Sequence, residues 1–272
     1  MEIALVQLKR GLRPEENAER VAGLIREARG ADLVLLPENW LGPFPVGLAE
    51  YISVLREVTR SLSPATLVAG GAQYVRIGDK VYSRGAFLRA GSKPLGYYKK
   101  RFPSRPVGER EYLTPGRKTV IVDHAGWRIG ALVCVDLFYP ELARRLALKG
   151  CQLILNPASI PAARQDLWRA LGLVRAAENT VFVAVANNTG SAYADGRVIA
   201  GGSFVAFPDG TLGAACGEEE TILRVRLEQA RIAEIRQRWP YLGDVSKAGG
   251  GRSESSAQSS EAAAKEKGKR RR

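Results

Sequence analysis

The chain is poor in the residues that most often carry chemistry at neutral pH. It has one histidine, His124, one methionine and three cysteines in 272 residues. One His with scattered Cys cannot supply the usual zinc spacings, so no metal is expected. Cys134, Cys151 and Cys216 are odd in number and far apart. They exclude a disulfide framework and point to a reducing cytoplasm. No apolar run approaches the ~18 residues of a membrane span, and Met1-Glu-Ile-Ala lacks the charged start and apolar core of a secretory leader. There is no P-loop and no G-x-S-x-G, and no organic cofactor is expected. Acidic side chains are also scarce, 28 against 41 Lys and Arg, leaving a net charge of +13. Residues 247–272 hold eight Lys/Arg and three Glu, so the rest of the chain is only moderately basic. That balance suits anionic substrates or surfaces without requiring nucleic acid.

What is present fits one large α/β domain. A length of 272 residues with 45% hydrophobic content allows a single soluble core. Strands are expected at 2–8, 32–37, 66–75, 81–89, 94–99, 119–123, 127–133, 152–156, 180–187, 202–207, 211–215 and 221–227. Helices are expected at 14–29, 48–62, 141–149, 162–179 and 227–238, with a long irregular loop over 100–116. From Lys247 the composition turns to Gly, Ser, Ala, Gln, Glu and Lys, with little to bury, so 246–272 reads as a disordered tail outside a 1–245 domain. Its basic end, residues 267–272, reads as solvated rather than as a nucleic-acid contact.

The organising stretch is Ile129-Gly-Ala-Leu-Val-Cys134-Val-Asp136-Leu-Phe-Tyr-Pro140-Glu141. A short apolar strand ends at Cys134, and Pro140 suits the first turn of a helix. Leu142, Ala143, Leu146 and Ala147 then share one helical face. A lone cysteine is more often structural than reactive. Three further segments change the weighting: Leu35-Leu-Pro-Glu38, Tyr97-Tyr-Lys99-Lys-Arg-Phe and Gly108-Glu109-Arg-Glu-Tyr-Leu-Thr-Pro-Gly116. Each of the first two ends an apolar strand with a charged side chain.

In this order the four segments resemble the nitrilase superfamily of carbon–nitrogen hydrolases, from Met1 to about Leu242. The resemblance implies a four-layer αββα sandwich and a Glu-Lys-Cys triad with an additional glutamate. Carried over residue by residue, these are Glu38, Lys99, Cys134 and Glu109. Lys100 competes with Lys99, and the family's aromatic, any residue, lysine spacing favours Tyr97-Tyr98-Lys99. Glu111 competes with Glu109, which is favoured by its spacing to Pro115-Gly116. Two departures lie near the expected pocket: Arg101-Phe102 stands where the family commonly has His-Leu, and Gly42-Pro-Phe44 where it often has Gly-Tyr.

The chemistry agrees with that assignment. A cysteine hydrolase needs a thiolate, a base and donors for an oxyanion. His124 is about 25 Å from Cys134 if 127–134 is extended, at ~3.3 Å per residue, and reads as capping an exposed turn. Glu38, at a dry strand end, is the better base. Lys99 would favour the thiolate and the oxyanion, the Val135 N–H would be a second oxyanion donor, and Glu109 would anchor the lysine. Asp136 is expected to bond backbone at the helix start. Trp40, Phe44, Tyr112, Phe138 and Tyr139 flank these positions and are expected to line the pocket.

The expected function is hydrolysis of a non-peptide amide, such as a linear amide, an ω-amide or an N-carbamoyl compound, through a cysteine thioester. Nitrile hydrolysis at the same site and a non-catalytic module on the same fold are the alternatives. Lys100, Arg101, Arg105 and Arg110 suggest that the small-molecule amide substrate bears a carboxylate. The resemblance implies a homodimer or larger homo-oligomer and no membrane partner.

Overall fold

The computed structural model describes residues 1–250; residues 251–272, most of the expected tail, lie outside it, and 246–250 end its last helix. The chain opens with β1 (Glu2–Lys9) and helix α1 (Pro14–Leu24). Pro14 occupies the first turn, where its missing N–H costs nothing, and Glu15 and Glu16 complement the positive helix end. β2 (Leu33–Leu35) runs parallel to β1. After β3 (Val46–Gly47) and α2 (Leu48–Val58), β4 (Leu67–Ala69) runs parallel to β2. The run 66–75, expected as one strand, breaks at Gly71, whose φ is +68° and where a Cβ would stand 2.1 Å from the Pro37 carbonyl oxygen. That close approach brings the chain just before Glu38 against the break. β5 (Gln73–Ile77) and β6 (Lys80–Arg89) form the expected hairpin, and β7 (Pro94–Lys99) also pairs antiparallel with β6. The loop expected over 100–116 contains a 3-10 turn (Arg105–Val107) and one short α-helix, α3 (Glu109–Tyr112).

The chain then builds a second sheet. β8 (Ile121–His124) and β9 (Trp127–Ala131) form a hairpin. α4 (Pro140–Leu148) leads from β9 to β10 (Leu153–Pro157), and α5 (Gln165–Asn179) from β10 to β11 (Phe182–Ala186), all three strands being parallel. β12 (Asn188–Thr189) returns to pair with the end of β1. β13 (Ser191–Ala192) and β14 (Val198–Ile199) form a separate small hairpin. β15 (Phe204–Ala206) and β16 (Leu212–Ala215) complete the second sheet, and β17 (Thr221–Arg226) lies antiparallel to β1. Helices α6 (Gln229–Arg238) and α7 (Tyr241–Gly250) follow; α7 was not expected from the sequence.

The alternation of β1 explains the layers. Ile3 and Leu5 join the core shared with the second sheet, where they meet side chains such as Leu153 and Phe182. Ala4, Val6 and Leu8 point the other way, into a cluster with Val21, Ile25, Tyr51 and Leu55 beneath α1 and α2. Leu142, Ala143, Leu146 and Ala147 of α4 are buried on the far side of the second sheet, as their spacing predicts. The result is the expected four-layer αββα sandwich. His124 corrects one expectation. Its ring is buried rather than at an exposed turn, with Nε2 2.9 Å from the Asp32 carbonyl oxygen, because the β8–β9 turn packs against the first sheet. Among the described residues no helix is long and apolar enough to cross a membrane.

Candidate active site

The carboxyl ends of β2, β7, β9 and β10 meet at one end of the sandwich, where open α/β sheets place their ligands. Glu38 lies three residues beyond β2, Lys100 one beyond β7, Cys134 three beyond β9 and Ser159 two beyond β10. Glu109 enters from α3. Lys100 Nζ donates to Glu38 Oε1 at 2.9 Å and lies 2.8 Å from the Glu109 carboxylate. The Cys134 thiol stands beside Glu38, close enough for each to shift the other's protonation. Glu38, Lys100, Glu109 and Cys134 are between 1 and 4% exposed.

Lys99, the expected triad lysine, is not among them. Strand parity gives the reason. Tyr98 faces inward, is buried, and donates to the Gly71 carbonyl at 3.0 Å. The Lys100 N–H extends the ladder to Ser83 O at 2.9 Å, so its side chain falls on the Tyr98 side and Lys99 falls on the other. Lys99 Nζ sits 3.4 Å over the Tyr82 ring instead. Tyr98-Lys99-Lys100 satisfies the same aromatic, any residue, lysine spacing one position later.

Backbone and buried polar groups hold the four side chains. Cys134 has φ +48°, a costly conformation for a residue with a Cβ, and starts a tight turn over Cys134–Phe138. Asn156 Nδ2 donates to the Cys134 carbonyl at 3.2 Å and to that of Leu132 at 2.6 Å, fixing the turn. Asp136 does bond backbone, and reaches further than expected. It accepts from Val133 N at 3.3 Å and also from Arg101 N at 2.9 Å and Phe102 N at 2.9 Å. It thus ties the Lys100 segment to the Cys134 turn. Glu109 accepts from Tyr74 Oη at 2.8 Å and Ser104 N at 2.5 Å. Glu111 is exposed.

Electrostatics follow from burial. Burial raises the Glu38 pKa and the Glu109 carboxylate adds to it, against the pull of Lys100. Burial and then Glu38 raise the Cys134 thiol well above its usual range, while Lys100 and the Ser159 backbone N–H favour the thiolate. Burial lowers the Lys100 pKa, but Glu38, Cys134 and Glu109 outweigh it and hold the ammonium charged. Burial thus favours the neutral thiol at Cys134 and moves Glu38 in the direction of a proton carrier.

The model of the carbon-nitrogen hydrolase family matches residues 2–237. This chain belongs to that family. It is similar to omega-amidase NIT2 of Bos taurus, at 32% identity over 88% of this chain and 93% of the relative. It is similar to 2-oxoglutaramate amidase of Bacillus subtilis, at 29% over 86% and 93%. A CN-hydrolase superfamily protein of Xanthomonas campestris, solved with an arsenic adduct in its active site, superposes with a TM-score of 0.80 at 28% identity, over 90% of this chain and 96% of that one. The protein is a hydrolase of carbon–nitrogen bonds other than peptide bonds.

In this hydrolase the four side chains open on a cavity of about 360 Å³, a size suited to a small molecule. Val135 and Phe138 line it, Phe138 meeting Trp168 edge-on at 5.1 Å. Phe44 and Tyr112 line a neighbouring cavity instead. Trp40 was expected in the pocket but is fully buried, with Nε1 donating to Gly70 O at 2.7 Å. Asn39, at φ +52°, turns the chain so that Glu38 faces the site and Trp40 the core under α2. Tyr139 lines neither cavity and stacks on Phe102 at 3.8 Å. Arg101, Arg105 and Arg110 also line neither, and Lys100 is already paired twice, so the basic loop does not supply the expected carboxylate contact. Sequence reading missed Tyr74, Ser159, Trp168 and Tyr193. Only Ser159 carried a signal, its place just after a buried strand. Tyr193 donates to the Ser159 carbonyl from the small β13–β14 hairpin.

Proposed function

We propose that the protein hydrolyses the terminal amide of a small dicarboxylic acid, with Cys134 as nucleophile, Glu38 as proton carrier, and Lys100 and the Val135 N–H as oxyanion donors. The observation that carries this reading is the Lys100 ammonium held between Glu38 and Glu109 beside a buried thiol on a strained turn. Glu38 takes the Cys134 proton as sulfur attacks the amide carbon, and the negative oxygen forms against Lys100. Collapse breaks the C–N bond, Glu38 returns the proton to nitrogen, and ammonia leaves a thioester. Water then enters, gives a proton to Glu38 and attacks the thioester carbon. The acid departs and Glu38 reprotonates Cys134. Glu109 keeps Lys100 in place throughout. The names of the two relatives, an omega-amidase and a 2-oxoglutaramate amidase, support the substrate class.

A panel of amides scored by ammonia release, with hydroxylamine present, tests the reading. The expected result is hydroxamate formation with dicarboxylate monoamides, lost in Cys134→Ala. Turnover retained in that variant, or ammonia released without trappable acyl groups, contradicts it.

The same reading includes a homo-oligomer in the cytoplasm. Leu148, Leu167, Val174, Tyr241 and Val245 leave apolar surface on α4, α5 and α7, which supports self-association through that layer, and the free cysteines support a reducing compartment. Light scattering that returns the 29.5 kDa of one chain contradicts the oligomer.

A further inference from the structure

Beside the reactive cavity lies a second one of about 570 Å³, and the two share Asn39, Tyr74, Val107 and Tyr193. Arg10, just past β1, is the one charged side chain among its described lining residues. Arg10 is 7% exposed and makes no ion pair among the described residues. Its one side-chain hydrogen bond among the described residues is a long one, from Nη1 to Ser159 Oγ at 3.5 Å. A guanidinium has five N–H donors, so the described residues take up little of this one's capacity. Burial lowers its pKa, and the groups that favour its charge are Tyr193, Glu38 and Tyr74. Both tyrosines are held neutral by burial, and Glu38 already accepts from Lys100. Other arginines near the site differ. Arg197 and Arg164 line the reactive cavity, but Arg197 is paired with Asp195 and donates to Pro106 O, and Arg164 is exposed at the rim, 5.6 Å over the Phe138 ring.

A desolvated cation without a counter-ion is a strong penalty unless a ligand supplies the charge. Ser159 measures the reach: its backbone N–H faces the Cys134 thiol and its hydroxyl accepts from Arg10. One residue therefore spans the distance between nucleophile and cation. We infer that the Arg10 cavity is an anion subsite that receives the carboxylate of a short amide substrate while its amide carbon lies at Cys134. The inference rests on the amidase reading for the position of the amide, and names the residue that selects the acid over its neutral analogue.

Two measurements test it separately from that reading. The first is kcat/KM on glutaramate and on pentanamide for wild type, Arg10→Gln and Arg10→Lys. The wild type is expected to prefer the acid, and R10Q to reduce the acid-to-neutral ratio by ~10- to 100-fold, mostly through KM, as loss of a charged hydrogen bond does. R10K is expected to keep most of the preference. A wild type with no preference for the acid, or an R10Q ratio equal to that of wild type, overturns the subsite. The second is calorimetric titration of glutarate, which has no bond to cleave. Binding that R10Q weakens at least ~10-fold supports the subsite; absent binding, or equal binding to both proteins, overturns it. If R10Q does not fold, Arg10→Met replaces it in both measurements and is judged by the same criteria. Failure to hydrolyse either amide counts against the amidase reading, and the glutarate titration still judges Arg10.

Discussion

Lys99 and Lys100 are consecutive in the chain and occupy opposite surroundings. Lys100 is buried between two carboxylates and a thiol, and those groups hold its charge against burial. Lys99 faces outward over Tyr82, and burial together with Arg84 and Lys80 lowers its pKa. The outer cluster gathers cations and is partly wet; the inner one balances charge in a dry space. The same side chain is thus a surface cation on one face of a strand and part of a reaction centre on the other. Strand parity decides between them, because residues one apart point to opposite faces. Composition and motif spacing fit both.

Three substitutions sharpen the contrast between the dry cluster and its surroundings. The largest effect is expected for Cys134→Ala, which removes the nucleophile and should lower kcat by ~10⁴-fold or more on every amide tested. Ammonia release by purified protein measures it. Glu109→Gln comes next. It keeps the shape but loses the charge that holds Lys100, Tyr74 and Ser104, so kcat/KM should fall by ~10²-fold with the fold intact by circular dichroism. An unchanged rate would reduce Glu109 to a structural anchor.

The third effect is on stability rather than rate, at Asp136, which burial raises to a pKa of about 6 from 3.8. A carboxyl whose folded pKa is raised contributes stability below its unfolded pKa and loses it as pH rises through the folded value. Wild type should therefore lose up to ~3 kcal/mol relative to Asp136→Asn between about pH 4 and pH 7, since each pH unit separating the folded and unfolded values is worth ~1.4 kcal/mol. Denaturant unfolding of both proteins at the two pH values checks the sign. A wild type that gains on Asp136→Asn as pH rises would show that the three N–H donors outweigh burial.

Much of the frame was legible because it depends on local pattern. The first strand, the Pro140 helix start and the strand ends before Glu38 and Cys134 are readable from residue pattern alone. The break at Gly71 was not, since it arises from a Pro37 carbonyl 34 residues earlier in the chain packing against it. Trp40 was misplaced because an aromatic next to a catalytic position can face either way, and the positive φ of Asn39 decides. Arg10 carries no local signal. Its isolation exists only once β1, β10 and the β13–β14 hairpin bring Ser159 and Tyr193 around it.

The most direct measurement is kcat/KM on one amide substrate for Lys100→Met and Lys99→Met side by side. The account predicts a loss of ~10³-fold or more for K100M, which leaves two buried carboxylates facing each other without their cation, and a K99M rate within about twofold of wild type, as expected for a partly exposed cation. Comparable losses in the two variants, or a larger loss in K99M, would contradict it.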